Sequence, residues 1–376
     1  MKQFPRILFL PFKNLNNILY LFLIYTTIIY GLCLMIEENN LQANNTNASA
    51  AAFGWDFQRN AAILLMLKNI KAAKSVRVEG LIEDIEIRLN DGTIIYSQAK
   101  SIQNINSTQN TIAKLRAALK TLNRASEEEN VKELIYITNI PDPMKDDTSR
   151  NLFWGYSIVS FSDLTIASQN RIKEIIANEN YTIDTNKLRI VVVPFFGDDD
   201  SNRYKIIKEQ VSDFLSNCNI QDIAIPQEIM QIWQNHFFIN ATHSDQKFNI
   251  EKEDMIWAII AYLCSFERCR NDSILDECDN AMIREIERTY NQVINNKSED
   301  FEFFNRVLAD YNKFEVNLKR KERVEKFING QYIDYEQYFQ VNDIDDETKS
   351  CLIKLVIKKI IDNRLIMDDI KRGAGL

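Results

Sequence analysis

The chain is poor in the residue types on which most catalytic sites depend. Its 376 residues include two histidines, His236 and His243, so no Ser-His-Asp or Cys-His set stands out. No glycine pattern of the Walker or Rossmann kind is present, so a P-loop or dinucleotide-binding protein is not indicated. The six cysteines lack CxxC spacing, and free thiols in helices are favoured over a zinc site at Cys264, Cys269 and Cys278.

Positive charge is unevenly distributed along the chain. With 45% hydrophobic and 26% charged residues the composition is that of a globular protein, and the length allows two or three domains. The formal net charge is −8, but residues 53–125 contain eleven Lys or Arg and six Asp or Glu, a local charge of +5 that leaves −13 for the rest. No acidic residue lies between Gly92 and Ser126. A basic region of this kind favours phosphate binding.

A β-hairpin carries the most informative pattern. Residues 84–89 alternate polar and apolar side chains, which predicts a half-buried strand. The turn signal Asn90–Gly92 returns the chain in the antiparallel direction. Residues 93–100 are rich in β-branched and aromatic side chains, which predicts the second strand.

Three polar side chains of this hairpin are expected to converge. Antiparallel pairing brings Asp84 near Gln98 and Lys100 at the surface of the sheet. A carboxylate, an amide oxygen and an ammonium are groups that hold a divalent metal ion and position a water. The alternative interpretation is a solvated hairpin face with an ordinary acid and lysine.

The segment before the hairpin adds a second pattern. Residues 52–67 open with the sequence AFGWDFQ, in which Gly54 and Gln58 lie, and continue as an apolar run, which predicts a helix that leads into a first strand at Val76–Glu79. The predicted order is therefore a helix with G-x-x-F-Q, a strand, an acid-bearing strand, a Q-x-K strand and another helix.

This order resembles the PD-(D/E)xK nuclease core, in the variant whose middle acid is Gln, here Asp84 followed by Gln98-Ala99-Lys100. It is similar to Mrr-like nucleases, most of all to the nuclease domain of bacterial anti-phage effectors of the CBASS and Lamassu type. The resemblance is strongest over residues 50–125. It implies an α/β restriction-endonuclease-like core, a mixed sheet flanked by helices, over residues 50–220. The helical second half fits the Lamassu nuclease subunit better than a CBASS effector.

The resemblance also implies an activity and its residues. The activity is that of a Mg²⁺- or Mn²⁺-dependent DNA endonuclease with little sequence specificity once activated. Asp84, Gln98, Lys100 and Gln58 are the implied catalytic residues, and Lys100 would orient the water or stabilise developing charge. Asp84 and Gln98 are the implied metal ligands, with Glu79 as a further ligand and Glu86 as its alternative. The implied partners are double-stranded DNA, an SMC-like ATPase with an accessory subunit of a defence complex, and further copies of the chain in the active state.

A basic ridge is predicted on the helix that follows the hairpin. Residues 107–125 place their apolar side chains on one stripe, and Arg116, Lys120 and Arg124 follow one another at intervals of four on the other side. We expect the ridge to contact the DNA backbone. The alternative is a solvated helical face.

The two ends of the chain are less informative about chemistry. In residues 1–49, Ile18–Ile36 is almost wholly apolar and is either a membrane anchor or part of an extension that precedes a native start at Met35. We expect a cytoplasmic protein, anchored to the membrane if that segment is native. Residues 221–376 predict an all-α partner-binding or regulatory domain, which includes one long helix over Glu299–Phe327.

Two other functions are compatible with the same residues. One is a nuclease-fold adaptor that binds nucleic acid or a partner without cleaving it. The other is an RNase on the same fold. Retention of Asp84, Gln98 and Lys100 together favours cleavage over the adaptor.

Overall fold

A computed structural model of the chain describes residues 48–106, 110–245, 247–295, 297–339 and 344–376. The predicted apolar segment Ile18–Ile36 lies outside these residues. No helix in the described part of the chain is long and apolar enough to cross a membrane. The described residues divide into two compact units, one of residues 48–260 together with 365–376, and one of residues 261–364.

Seven strands form one mixed sheet in the first unit. Its order is β5-β6-β4-β3-β2-β1-β7; β3, β4 and β6 are parallel, and the remaining neighbours are antiparallel. The strands are β1 Ala73–Val78, β2 Ile85–Leu89, β3 Ile94–Lys100, β4 Val131–Thr138, β5 Ser157–Ser160, β6 Leu188–Val192 and β7 Ile250–Glu251.

Helices cover both faces of this sheet and make up the second unit. In chain order they are α1 Ala48–Lys68, α2 Thr111–Ser126, α3 Ile166–Asn178, α4 Asp200–Arg203, α5 Lys205–Asn217, α6 Ile225–Thr242, α7 Lys252–Leu263, α8 Asn280–Asn295, α9 Lys297–Lys313, α10 Arg320–Gln331, α11 Asp346–Asp362 and α12 Arg364–Ala374. The mixed sheet flanked by helices and the helical C-terminal region were both predicted from the sequence.

Each face of the sheet has its own apolar contacts. On one face, buried residues of α2 and α3 such as Leu119 and Ile172 pack with Tyr96 and Tyr136 of the strands. On the other face, α1 packs against β1, β2 and β3 and is itself covered by α5 and α6. Ten residues of α1 are buried because the helix lies between the sheet and these helices.

The β2–β3 hairpin forms where the alternation predicted it. Asp91 Oδ1 accepts hydrogen bonds from the backbone N–H of Thr93 at 2.9 Å and from its hydroxyl at 2.6 Å, and Gly92 takes a φ of +84° that few other residues adopt. The pairing of Ile85 with Ser97 fixes the register. Asp84 is therefore level with Gln98 and on the same face.

The sheet-containing unit extends beyond the predicted boundary at residue 220. Helix α6 packs on α1 and α5, and β7 pairs with β1. Buried Arg77 donates to the carbonyls of His243 at 3.2 Å and Phe248 at 2.6 Å, which secures the segment before β7. At the other end of this unit, Lys252 Nζ donates to the carbonyl of Ala374 at 3.1 Å.

The unit of residues 261–364 is built around α11. Its buried side chains occur all round the helix because α8, α9 and α10 pack against it. The single long helix predicted over Glu299–Phe327 is wrong, because residues 314–319 separate α9 from α10. Arg323 Nε donates to the carbonyl of Phe314 at 2.7 Å, so a side chain satisfies the end of the first helix.

One buried amide ties three strand ends together. Asn139, which is fully buried directly after β4, accepts from the N–H of Ile102 at 2.8 Å. Its amide nitrogen donates to the carbonyls of Ile102 at 2.8 Å and Phe195 at 2.9 Å. The chain leaving β3, β4 and β6 is thereby held at one edge of the sheet.

We predict that Asn139→Asp destabilises the protein strongly although it preserves the side-chain size. The carboxylate cannot donate, so two carbonyl oxygens lose their partners and face a buried charge, at a cost of about 3 kcal/mol. Urea unfolding at neutral pH measures this change. Asn186→Asp, at an exposed position, is the control and should shift stability by less than about 0.5 kcal/mol. Equal effects of the two substitutions would contradict the role assigned to Asn139.

Candidate active site at the carboxyl edge of the sheet

The carboxyl ends of the central strands meet at one edge of the sheet. Lys100 at the end of β3 is level with Thr138 of β4, which is level with Val192 of β6. The turn of residues 79–84, between β1 and β2, lies at the same edge because Ile85 pairs with Ser97. The residues predicted for catalysis come from this turn, from β3 and from α1.

The structure brings Asp84 and Gln98 into direct contact. Asp84 Oδ2 accepts a hydrogen bond from the backbone N–H of Ala99 at 2.9 Å and a short one from the amide nitrogen of Gln98. The Gln98 oxygen accepts a short hydrogen bond from the hydroxyl of Thr121 on α2. The carboxylate therefore lies against β3, as the hairpin register requires.

The Gln98 amide presents its nitrogen, not its oxygen, to Asp84. As a metal ligand the amide would use its oxygen, and the opposite orientation would place the nitrogen at Thr121. A hydroxyl both donates and accepts, so Thr121 provides a partner for either orientation. The chemistry of the site is compatible with Gln98 as a neutral oxygen ligand.

Gln58 connects α1 to the turn that carries the acids. Its amide nitrogen donates to Glu79 Oε1 at 2.8 Å and to the backbone carbonyl of Asp84 at 3.1 Å. Glu79 adopts a φ of +53°, and its N–H donates to the same carbonyl of Asp84 at 2.8 Å. Gln58 and Glu79 thus lie beside Asp84, and the Glu79 carboxylate is occupied by this contact.

Glu83 is a site residue that the sequence analysis missed. Its side chain is 3% exposed, and within the described residues neither carboxylate oxygen has a hydrogen bond of sound geometry. Burial raises its pKa to about 8, the charge of Asp84 adds to this, and Thr121, Arg124 and Lys100 act in the opposite direction. The only sequence signal was an acid adjacent to Asp84, on the opposite side of the predicted alternation.

Lys100 lowers the pKa of the neighbouring Asp84 carboxyl group. Burial raises the pKa of Asp84 to about 6, while the Lys100 ammonium and the Ala99 N–H oppose this rise. The Glu79 charge raises the pKa of Asp84 further. Lys100 therefore favours the ionised carboxylate, which is the form that binds a metal ion.

Glu86, the alternative ligand, has a structural contact instead. Its Oε1 accepts from the N–H of Ile82 at 2.8 Å, inside the turn. A side chain at Gly80 would come within 2.4 Å of the Glu86 carboxyl group, so glycine leaves room for it. Glu86 thus stabilises the turn that presents Glu83 and Asp84.

The structure places the predicted basic ridge on the exposed side of α2. Arg116, Lys120 and Arg124 are all exposed. Arg116 Nε lies 3.8 Å from Glu179 Oε1, a pair of half-exposed groups worth little in stability. Arg124 is the member nearest to the acids, since its charge lowers the pKa of Glu83. From Arg124 the ridge runs along the exposed side of α2 towards the amino end of the helix.

The donor set is sparse for a metal. In the part of the chain that the structure describes, no group of three or more His, Cys, Asp or Glu side chains is arranged to hold a metal ion. Mg²⁺ needs few protein ligands, because it retains several waters and binds through one or two carboxylates plus substrate phosphate. The oxygens of Glu83 without partners and the Asp84 carboxylate meet that requirement.

The chain has weak structural similarity to two solved receptor structures. No family model and no curated protein sequence matches the chain. A Moraxella osloensis Cap4 SAVED/CARF-domain containing receptor matches with a TM-score of 0.34 and 12% identity, over 58% of this chain and 49% of that one. An Acinetobacter baumannii Cap4 SAVED/CARF-domain containing receptor, solved with the cyclic trinucleotide 3'3'3'-cAAA, matches with a TM-score of 0.36 and 13% identity, over 58% and 46%. The chain thus spans about half the length of these receptors.

We predict that stability falls as the pH rises from about 5 to about 8 in the absence of divalent cations. The ordinary pKa values of Glu83 and Asp84 are 4.5 and 3.8, and the folded values are about 8 and about 6. The folded protein therefore holds more protons than the unfolded chain in this window, and each proton lost on raising the pH favours unfolding. On these values the loss should amount to about 5 kcal/mol.

Urea unfolding in EDTA across this pH range measures the effect. Glu83→Gln should remove most of the decline above pH 6, and Glu129→Gln, at an exposed position, should leave it unchanged. A wild-type stability that stays level or rises between pH 5 and pH 8 would show that these carboxyl groups are not buried as described.

Proposed function

We propose that the chain is a metal-dependent endonuclease that cleaves double-stranded DNA with little sequence specificity. The observation that carries the proposal is the contact of Asp84 with Gln98 and the Ala99 N–H at the carboxyl edge of the sheet, with Lys100 at the end of the same strand. These are the residue types and the arrangement that the PD-(D/E)xK resemblance calls for.

The topology supports a restriction-endonuclease-like core. Helix α1 precedes three antiparallel strands, and α2 connects β3 to the parallel strand β4. This follows the order of elements on which the sequence resemblance rests, and Gln58 of the G-x-x-F-Q segment lies at the site.

Mg²⁺ or Mn²⁺ fits the residues present. Asp84 and Glu83 would hold it as carboxylate ligands and Gln98 as an amide oxygen ligand, while Glu79 stays engaged by Gln58. When bound, such an ion acidifies a coordinated water and offsets negative charge on the phosphate. The unpaired oxygens of buried Glu83 are the observation that favours a cation here.

Lys100 and Gln58 have supporting roles: Lys100 acts on charge, and Gln58 holds the turn that carries Asp84 in place. The Lys100 ammonium favours ionised Asp84, as its effect on the pKa of that group indicates. Its position at the strand end suits it to stabilise charge on a phosphate oxygen. Gln58 holds the turn of residues 79–84 against α1, which keeps Asp84 at its place opposite Gln98.

A role as the effector of an anti-phage or anti-plasmid defence system is part of the proposal. It comes from the sequence resemblance to CBASS and Lamassu nuclease domains. On this proposal, residues 261–364 bind the SMC-like ATPase or accessory subunit of a Lamassu-type complex, or contact further copies of the chain.

We predict that Asp84→Asn and Lys100→Ala each reduce cleavage by roughly 100-fold or more while the protein stays folded. Gln98→Ala should have a smaller effect, because a neutral amide is the weakest ligand of the set. The assay is degradation of supercoiled plasmid, linear duplex and RNA with Mg²⁺, Mn²⁺ or EDTA, with thermal unfolding as the check on folding.

Two matched controls lie on the same strands or next to them. Asp91→Asn is at the hairpin tip, and Lys132→Ala is at the opposite end of β4 from the site. Both should cleave like the wild type. Full activity of folded Asp84→Asn would end the nuclease assignment. Cleavage of RNA alone would point to an RNase, and binding without cleavage would point to the adaptor.

We predict that the ridge contributes electrostatic affinity for DNA of any sequence. Replacing Lys120 and Arg124 by Gln should flatten the plot of log affinity against log salt by roughly 0.9 for each lost phosphate contact. The charge-matched control replaces Lys132 and Lys187, at the amino ends of β4 and β6, by Gln. A salt slope that changes equally in both pairs would show that the ridge does not contact DNA.

A further inference from the structure

Lys114, in the first turn of α2, is not one of the residues that contact Asp84 or Gln98 in the candidate active site. It lies seven residues before Thr121, which is two helical turns, so the two side chains are only about 20° apart around the helix. The Thr121 hydroxyl contacts the Gln98 amide. Lys114 therefore extends from the side of α2 that borders the candidate active site.

The level of Lys114 along the sheet follows from the topology. Helix α2 links the parallel strands β3 and β4 and so runs opposite to β3. Seven residues of helix span about 10 Å, and the two strand residues from Gln98 to Lys100 span about 6.6 Å. Since Thr121 contacts Gln98, the backbones of Lys114 and Lys100 lie within about 4 Å of each other along the strand direction, near the carboxyl end of β3.

The charge of Lys100 acts on Asp84 and Glu83, but neither Lys100 nor Lys114 is in direct contact with a counter-ion among the described residues. Within the described residues neither ammonium has an ion pair or a hydrogen bond. Lys114 is half-buried; burial lowers its pKa, and the charge of Lys100 lowers it further. Two like charges in partial burial repel each other, and an anion placed between them would relieve that repulsion.

Arg116, by contrast, lies on a different side of α2 from Lys114. It is two residues further on, about 200° around the helix axis from Lys114, and its partner is Glu179 on the far flank. Of the basic residues of α2, Lys114 is thus the one that shares both the flank and the level of Lys100. At the same end, the N-cap residue Asn110 makes no side-chain capping bond, so the positive end of the helix dipole is left uncapped by it.

We propose that Lys114 and Lys100 together bind one phosphate of a nucleic acid strand, the phosphate whose ester bond lies beside Asp84 and Gln98. The proposal rests on the proposed function for the identity of the polymer, but the phosphate subsite itself has its own test. It makes Lys114 a substrate-positioning residue that reads charge and not base identity.

Inorganic phosphate is the first probe, used on the full chain. Phosphate should raise the melting temperature of the wild type more than an equal ionic strength of chloride does, since it binds the folded state. This extra rise should be lost in Lys114→Gln and in Lys100→Gln, and kept in Lys132→Gln. Lys114→Arg retains the charge and should keep at least part of it.

A labelled DNA duplex is the second probe, used with the Asp84→Asn protein so that cleavage does not interfere. Lys114→Gln should weaken binding roughly tenfold and lower the salt slope by roughly 0.9, while Lys114→Arg restores both. Lys132→Gln should change neither quantity. In the cleaving protein, Lys114→Gln should act more on kcat/KM than on kcat, as expected for a positioning contact.

The two failures are distinguishable. If Lys114→Gln matches the wild type in its phosphate response and in its salt slope, the subsite is overturned, whether or not the protein cleaves DNA. If the phosphate response depends on Lys114 but neither DNA nor RNA is bound or cut, the subsite stands and the proposed function falls.

Discussion

Burial of carboxyl groups beside β3 is the constraint on which the site depends. Glu83 is almost fully enclosed with no hydrogen-bond partner of sound geometry among the described residues, and Asp84 relies on the Ala99 N–H and the Gln98 amide. An isolated buried carboxylate is costly, so each acid must take up a proton or gain a positive neighbour. Lys100 and Arg124 supply part of that charge from nearby. A further positive charge at the carboxyl edge of the sheet would therefore stabilise the two buried carboxylates.

The β2–β3 hairpin of the central sheet was predictable because its polar and apolar alternation and its turn residues are local features of the sequence. Alternation in residues 84–89 and the Asn90–Gly92 turn gave the hairpin and its register, which a single-residue slip would have inverted. The edge strands β5 and β7 were not predicted, since they have four and two residues and their pairing is set by distant partners. The break between α9 and α10 was missed because neither Gly nor Pro marks it; a side chain, Arg323, completes the helix end.

The site was predictable in part for the same reason. Asp84 and Gln98 meet because strand register alone decides their distance, whereas Gln58 was placed by resemblance and meets the turn through tertiary packing of α1. Glu83 and Lys114 were missed because their roles depend on burial and on the side of a helix that faces the sheet. Glu86 lies on the polar face of β2 that the alternation predicted, but its carboxylate accepts a hydrogen bond from the turn N–H of Ile82. The alternation pattern does not reveal such a local contact.

The division of the chain has a consequence for how the protein is made. Residues 261–364 are inserted between two parts of the unit that holds the sheet, and that unit is complete only when residues 365–376 return to it. Lys252 and Asn219 are bound there by Ala374 and Asp369. Folding that waits for contacts so distant in sequence is slow, and during synthesis it cannot finish early. During synthesis, the acidic residues of the turn 79–84 would therefore belong to an incompletely folded unit until residues 365–376 had left the ribosome.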